Sequence, residues 1–214
     1  MKKLLFTAEN LRLSIEGKKT VTRRLSGLAK INEHPGEWFL LGQSELGDFV
    51  LKNRVTGEHM NVKPKYHVGE RVYFGENHRY LKAHAPNDFG IEYQDGTVKW
   101  WRDNGNIMDY PINEKWRSKM FLKEIFARYF AEITSVGCGR LQDMTEQDAR
   151  DEGIYYIRFN DFRPSGWTWK EDADRFPNPT SAYAGEWDSI NKKMKWEGNY
   201  WVFVYGYRMV KNDK

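Results

Sequence analysis

The sequence lacks several features that would assign a chain to a familiar class. Its 214 residues contain one cysteine, Cys138, which excludes an intrachain disulfide and a zinc site built from several cysteines. No apolar run approaches the roughly 18 residues that a membrane-spanning helix needs. The apolar start is broken early by Glu9, Asn10 and Arg12, which argues against a signal peptide. We therefore expect a soluble protein of a reducing compartment.

Common catalytic motifs are also missing. There is no glycine-rich phosphate loop, no HExxH and no GxSxG. The five histidines are scattered without the spacing of metal ligands, and we expect them at surface or loop positions. Cys138 has no base near it in sequence and is expected to be a structural thiol. These patterns predict neither a metal nor a cofactor.

The chain is rich in aromatic residues and slightly basic. Phe, Trp and Tyr make up 15% of it, with nine Trp, and 34 basic residues against 30 acidic ones give a net charge of +4. This is enough apolar material for a core, and surplus rings could serve as stacking surfaces. The charge is compatible with an anionic partner but does not require one.

Helical and alternating patterns along the chain predict an α+β fold. We expect a helix between a Thr7 cap and Gly17, and another that starts at a Thr145–Asp148 capping box and stops at Gly153. A third helix is predicted in AYAGEWDSINKK. Strands are predicted in TVTRRL, EWFLLGQ, DFVLKNRV, EHMNVK, RVYF, RYFAEITSV and YWVFVYGYRMV. This order favours a small mixed or antiparallel barrel with short flanking helices.

We expect one domain, 1–214, with insertions at about 77–118 and 155–182. Both are rich in aromatic and basic residues in alternation, and the first contains a predicted hairpin that turns at Asp95-Gly96. In it, Trp100 and Trp101 precede a basic residue. Such pairs suit stacking on unpaired bases, although adjacent Trp residues also pin irregular segments onto a core.

The stretch GKKTVTRR combines basic residues and hydroxyls at a regular spacing, G-x-K-x-x-T-x-R. Thr22 and Arg24 share one face of the predicted strand. A lysine near a hydroxyl and a carboxylate can transfer protons, so Lys19 could take a proton from Thr22, while Arg24 could hold a phosphate or an oxyanion. Lys18 and Arg23 are expected to be solvated.

With four further segments in order, this motif resembles the ASCH family of small PUA-like β-barrels, and more closely a subgroup common in phages and prophages. The segments are GERVYFGE, EITSVGCGRLQDMTEQDARDEGI, EWDSI and the aromatic closing strand. The resemblance covers the framework of most of the chain but not the two insertions. It implies a PUA-like fold, recognition of a nucleobase or nucleotide, and a cytoplasmic location in a bacterial or phage-infected host cell.

The resemblance also implies roles for individual residues. ASCH proteins that hydrolyse N4-acetylcytidine use a Lys, a Thr and a Glu, which fall by motif position on Lys19, Thr22 and Glu152. Glu152 would orient the lysine or pass its proton to the leaving amine. Glu76 and Arg128 are the residues kept from two longer motifs of the phage subgroup, whose other positions differ here, so we expect a reshaped cleft rim.

Four functions follow as hypotheses. The first is amidohydrolysis of a modified cytidine or related nucleoside by Lys19, Thr22 and Glu152. The second is binding of single-stranded RNA or DNA without catalysis. The third is a ribonuclease, since Lys, Glu and Arg can cleave RNA without a metal, and the fourth is binding of a host protein through the insertions. The expected contacts to substrate or nucleic acid come from Arg24, Glu76, Arg128, Trp100 and Trp101.

Overall fold

A computed structural model describes residues 1–82, 88–102, 115–158 and 164–211. Within them the α-helices are α1 (Ala8–Ile15), α2 (Glu146–Asp151) and α3 (Pro179–Ile190). The strands of the described residues are β1 (Lys2–Leu5), β2 (Val21–Arg24), β3 (Trp38–Gln43), β4 (Phe49–Asn53), β5 (His59–Val62), β6 (Arg71–Gly75), β7 (His78–Lys82), β8 (Asp88–Tyr93), β9 (Val98–Arg102), β10 (Phe130–Arg140), β11 (Tyr155–Ile157), β12 (Gly166–Thr168) and β13 (Trp201–Val210). The protein is therefore mixed α+β and mostly β, as predicted.

The chain divides into two compact units. Unit 1 comprises Met1–Leu11, Arg71–Ala131 and Val210–Lys214, and unit 2 comprises Arg12–Glu70 and Glu132–Met209. The predicted insertion at 77–118 belongs to unit 1 and the one at 155–182 to unit 2. Parts of both predicted insertions (83–87, 103–114 and 159–163) lie outside the described residues.

Unit 1 contains two sets of paired strands. β1 and β6 are parallel, whereas β7, β8 and β9 form an antiparallel sheet in that order. Asp95-Gly96 turns the chain between β8 and β9, as predicted, with Gly96 at φ +81°. Aromatic residues from the sheet and from the segment before β10 form the core, which includes Tyr80, Tyr93 and Phe126.

Unit 2 contains three sheets and the packing partners of α2 and α3. β2 pairs antiparallel with β13, which lies between β2 and β10. A second antiparallel sheet has the order β3-β4-β5, and β11 pairs with β12. α2 and α3 pack against each other, and with β13 they bury a core that includes Ala149, Tyr183 and Val202.

The helix ends agree with the sequence signals. Thr7 Oγ1 accepts a hydrogen bond from the Asn10 backbone at 3.1 Å. Thr145 and Asp148 form the reciprocal capping box of α2. A closed barrel is not found among the described strands of either unit, which form open sheets.

Candidate functional site

Two turns in unit 2 bring Lys19 and Glu152 together. Lys19 lies between the end of α1 and the start of β2, and Glu152 directly follows α2 as its C-terminal cap. The two residues form an isolated antiparallel bridge, and the adjacent Thr20 N–H donates to the Asp151 carbonyl at 2.8 Å. A segment from the start of the chain is therefore joined to the end of a helix far along it.

Gly153 allows the chain to turn at this junction. Its φ is +100°, a conformation that other residues rarely adopt. A Cβ atom at this position would lie 3.1 Å from a Leu13 methyl carbon and 3.2 Å from Lys19 Cβ. Glycine after Glu152 is thus required both by the backbone conformation and by the close approach of Lys19.

The Lys19 ammonium contacts Glu152 twice. Nζ lies 2.5 Å from the carboxylate Oε2 and 2.5 Å from the backbone carbonyl oxygen of the same residue. Lys19 is 3% exposed and Glu152 is 2% exposed. A charged pair buried to this extent depends on its partners, because removal of either one leaves an uncompensated charge away from water.

Arg23 and Tyr183 bind the other oxygen of the Glu152 carboxylate. Arg23 Nη1 donates to Oε1 at 3.1 Å, and the Tyr183 hydroxyl donates to the same atom at 3.3 Å. Arg23 is 8% exposed, so the expectation that it is solvated is wrong. Lys18 is exposed, as expected, and pairs with Glu16 at 2.8 Å.

This buried cluster holds two cations around one carboxylate. Asp148, whose Oδ1 is 3.7 Å from Arg23 Nη2, brings a second negative charge from the helix α2. Burial raises the pKa of Tyr183 well above its ordinary value, and the Glu152 charge raises it further. Tyr183 therefore keeps its proton and acts as a hydrogen-bond donor to Glu152.

Thr22 and Arg24 share the opposite face of β2, as the alternating pattern predicts. Successive strand residues point to opposite faces, and Arg23 lies between these two. The register pairs Thr22 with Tyr205 and Arg24 with Phe203 across the β2–β13 ladder. Thr22 is 4% exposed. The strand thus presents Arg23 to the Glu152 carboxylate and Thr22 to a face lined by aromatic residues of β13.

Tyr207 lies within electrostatic reach of both groups of residues. Its hydroxyl is 2.7 Å from Ser14 Oγ. Burial raises the pKa of Tyr207 far above its ordinary value, Ser14 and Arg24 act in the opposite direction, and the Glu152 charge adds to the rise. Tyr207 therefore keeps its proton, and the charges of Arg24 and Glu152 shift its pKa in opposite directions.

In unit 1, the predicted binding residues Glu76 and Arg128 bind each other. Arg128 Nε donates to Glu76 Oε2 at 3.1 Å, Nη2 contacts the other carboxylate oxygen, and the same Nη2 lies 2.9 Å from Asp95 Oδ2. The guanidinium carbon lies 3.9 Å from the centre of the Tyr93 ring. Burial raises the pKa of Glu76, which Arg128 opposes. This arrangement fastens the β8–β9 turn to the rest of unit 1.

The two tryptophans predicted as stacking residues have different surroundings. Trp101 stacks against Phe89, with centroids 6.0 Å apart and planes within 15°, and packs edge-on against Phe126. Trp100 is 56% exposed. An open cavity of about 460 Å³ runs past both residues and is lined also by Lys99, Glu124 and Ile125.

Several residues of these clusters were missed from sequence. Arg23, Tyr183 and Tyr207 gave no motif signal. His78 is buried, with 0% exposure, rather than in a surface position. Cys138 is half-buried, and burial raises the pKa of its thiol to about 12.

Comparison with known proteins identifies no relative. No protein-family model, no curated protein and no solved structure matches this chain. Among the described residues, no helix is both long enough and apolar enough to cross a membrane. Functional inference therefore depends on the residues and on the geometry of the two clusters.

Proposed function

We propose that this protein hydrolyses an amide bond on a modified cytidine or a related nucleoside, with Lys19, Thr22 and Glu152 as its catalytic residues. The observation that carries the proposal is the 2.5 Å contact between Lys19 Nζ and Glu152 Oε2 in a site almost closed to water. Lysine and carboxylate at this distance can exchange a proton directly. Thr22, three residues beyond Lys19, supplies the hydroxyl nucleophile.

Charge in the cluster determines how Lys19 can act. Lys19 and Arg23 each form an ion pair with the Glu152 carboxylate. We assign Lys19 to a relay: when its ammonium passes a proton to Glu152, it becomes the amine that accepts the proton of Thr22.

The reaction then balances in two stages. Thr22 Oγ bonds to the acyl carbon, Lys19 takes its proton, and the C–N bond breaks while Glu152 delivers a proton to the leaving nitrogen. This stage leaves an ester on Thr22 and releases the unacylated nucleoside. Water then attacks the ester, one of its protons returns to Thr22 Oγ through Lys19, and the carboxylic acid leaves.

Arg24 supplies positive charge on the Thr22 side of β2. The two residues are on one face of the strand, and under this proposal the guanidinium stabilises an oxyanion formed at the acyl group, or a phosphate of the substrate. Arg23 and Tyr183 are positioning residues. They hold Oε1 of Glu152, which leaves Oε2 directed at Lys19.

The substrate class rests on the resemblance of the GKKTVTRR stretch and of residues 132–154 to ASCH proteins. Under this proposal the chain is a PUA-like ASCH protein with its own insertions, and the base enters beside Thr22. Tyr205 and Phe203 oppose Thr22 and Arg24 in the ladder, and their buried rings form the floor of this side of the strand.

A panel of acylated nucleosides, with N4-acetylcytidine first, tests the proposal. The pure protein is incubated with each one and the products are followed by mass spectrometry. We expect wild type and Lys18→Ala, the adjacent exposed control, to release the unacylated nucleoside, and Lys19→Ala to be inactive while still folded by circular dichroism. If wild type and Lys19→Ala behave alike on every nucleoside, the assignment is wrong.

A further inference from the structure

The sheet of unit 1 has one face directed at the core and one directed away from it. Alternation along β7, β8 and β9 puts Tyr80, Ile91 and Trp101 on the core side. The opposite side, which we name the Trp100 face, consists of Arg79, Leu81, Gly90, Glu92, Val98 and Trp100. This face carries an aromatic ring, a guanidinium paired with a carboxylate, and apolar side chains.

Trp100 lies flat on this face over Gly90, its cross-strand partner. A Cβ atom built on Gly90 would lie 2.8, 3.0 and 3.1 Å from three consecutive atoms of the six-membered ring. If this Cβ atom approached the edge of the ring in the ring plane, the two outer atoms would lie much farther from it than the middle atom. Nearly equal distances therefore mean that the ring covers Gly90 face-on, and its 56% exposure belongs largely to the other face.

A second exposed ring lies next to the charged row of the same face. Arg79 donates to Glu92 at 2.7 Å across the β7–β8 pair, and its guanidinium carbon is 5.2 Å from the centre of the Trp116 ring. Trp116 is 49% exposed and lies between Lys115 and Arg117 in sequence. Two indole rings are thus held at the surface of unit 1, and the Arg79 guanidinium lies beside one of them, Trp116.

Unit 1 carries the whole positive net charge of the protein, and unit 2 is neutral. Unit 1 holds 14 of the basic residues and 10 of the acidic ones, a net charge of +4, whereas unit 2 holds 20 of each. Of the exposed aromatic side chains in the described residues, Trp100, Trp116 and Phe121 are in unit 1 and Tyr156 alone is in unit 2. Positive charge and exposed rings therefore occur in the same unit.

We propose that the Trp100 face binds single-stranded nucleic acid, with an unpaired base stacked on the free side of the Trp100 ring. A flat ring fixed on a glycine offers a stacking surface to any base, and the net positive charge of unit 1 attracts the phosphates. The surface lies wholly within unit 1, so this inference is independent of the hydrolase proposal.

The experiment measures binding of the full-length protein to fluorescein-labelled single-stranded RNA, single-stranded DNA and a matched duplex by anisotropy, at low and at physiological salt. We expect the single strands to bind more tightly than the duplex. We also expect added salt to weaken their binding. Trp100→Leu should weaken single-strand binding about tenfold, while Trp100→Phe stays within about threefold of wild type because Phe still stacks.

Gly90→Ala provides a second test that leaves the indole in the chain. The new methyl group would lift the ring from the sheet, so binding should fall although Trp100 is still present. Leu46→Ala, which shortens an 84% exposed side chain in unit 2, is the matched control and should bind like wild type. Trp100 is exposed, so its variants are expected to fold, which thermal melting checks.

The proposal is overturned if wild type binds no single strand at low salt, as it would if this face served a protein partner. It is equally overturned if Trp100→Leu binds like wild type, or if Trp100→Phe is as weak as Trp100→Leu. Hydrolysis of free acylated nucleosides is measured on the same variants and should be unchanged. A wild-type protein that hydrolyses nucleosides but binds no single strand overturns this proposal alone, and one that binds single strands through Trp100 without hydrolysis overturns the hydrolase proposal alone.

Discussion

Lys19 and Glu152 are 133 residues apart in sequence, yet the ammonium nitrogen of one lies 2.5 Å from a carboxylate oxygen of the other. Both are almost fully buried. Arg23 and Tyr183 complete the coordination of the carboxylate from a strand and a helix. Burial at this level makes the cluster a determinant of stability in addition to any chemistry it performs, and the two contributions can be separated by experiment.

Removal of Arg23 should destabilise the protein. Arg23→Leu leaves Glu152 with one buried cation and removes the 3.1 Å contact, so we expect a loss of about 3 kcal/mol in the free energy of unfolding, measured in urea. Arg12→Leu, which removes an exposed pair with Glu16, should change stability much less, because water already screens that pair. Equal effects of the two substitutions would contradict the buried role of Arg23.

Gly153→Ala should be more harmful than alanine at another glycine with positive φ. Gly153 has φ +100°, and a Cβ there would lie 3.1 Å from Leu13 and 3.2 Å from Lys19, whereas Gly57 has φ +75° and open space around it. We expect Gly57→Ala to cost about 1 kcal/mol from backbone strain and Gly153→Ala to cost about 3 kcal/mol. Thermal or urea unfolding distinguishes them, and similar values would mean that the junction tolerates a side chain.

Acidification should destabilise the protein through His78. Its ring is buried, Nδ1 lies 3.0 Å from the Glu76 carbonyl, and Nε2 has no hydrogen-bond partner. Burial lowers its pKa, and the nearby charges of Arg117 and Lys3 act in the same direction. A depressed folded pKa means that the unfolded chain binds the proton first, so stability is lost as pH falls below about 6.5.

The measurement for His78 is the free energy of unfolding between pH 7.5 and pH 5 for wild type and His78→Gln. Wild type should approach an extra loss of about 1.4 kcal/mol per pH unit below pH 6.5 relative to the variant. Identical pH dependence in the two proteins would show that His78 titrates normally or is not buried.

Cys138 should react slowly with alkylating reagents in the folded protein. Burial raises the pKa of the thiol to about 12, so the reactive thiolate is scarce at pH 8. We expect iodoacetamide to modify the folded protein at least about a hundredfold more slowly than the urea-unfolded chain, as followed by intact mass. Comparable rates would show that the thiol is accessible and ionises readily.

Structural features that depend on residues close together in sequence could be predicted, whereas features that depend on distant residues could not. The capping box of α2 joins Thr145 to Asp148, three residues away, and local patterns define it completely. The hairpin predicted at Asp95-Gly96 is likewise local. The strand β7, which extends this hairpin to a three-stranded sheet, was not predicted. Separation of the chain into two units had no local signal.

The cluster around Glu152 combines residues from three segments of the chain, and their grouping depends on tertiary contacts. Motif positions identify Lys19, Thr22 and Glu152 as candidates. The sequence predicts a solvated Arg23, because two adjacent arginines have the same local pattern. Alternation distinguishes them only when the strand and its buried side are known. Tyr183 comes from α3, and nothing in its helical pattern points to a carboxylate.

The account is tested most directly by the rate at which Thr22 variants release the nucleoside from N4-acetylcytidine or the best acylated substrate. Thr22→Val keeps the shape of the buried side chain and removes the hydroxyl, and Thr22→Ser keeps the hydroxyl. The account predicts a fall in kcat of at least about a hundredfold for Thr22→Val and less than about tenfold for Thr22→Ser, with both proteins folded. A Thr22→Val protein that turns over like wild type would contradict it.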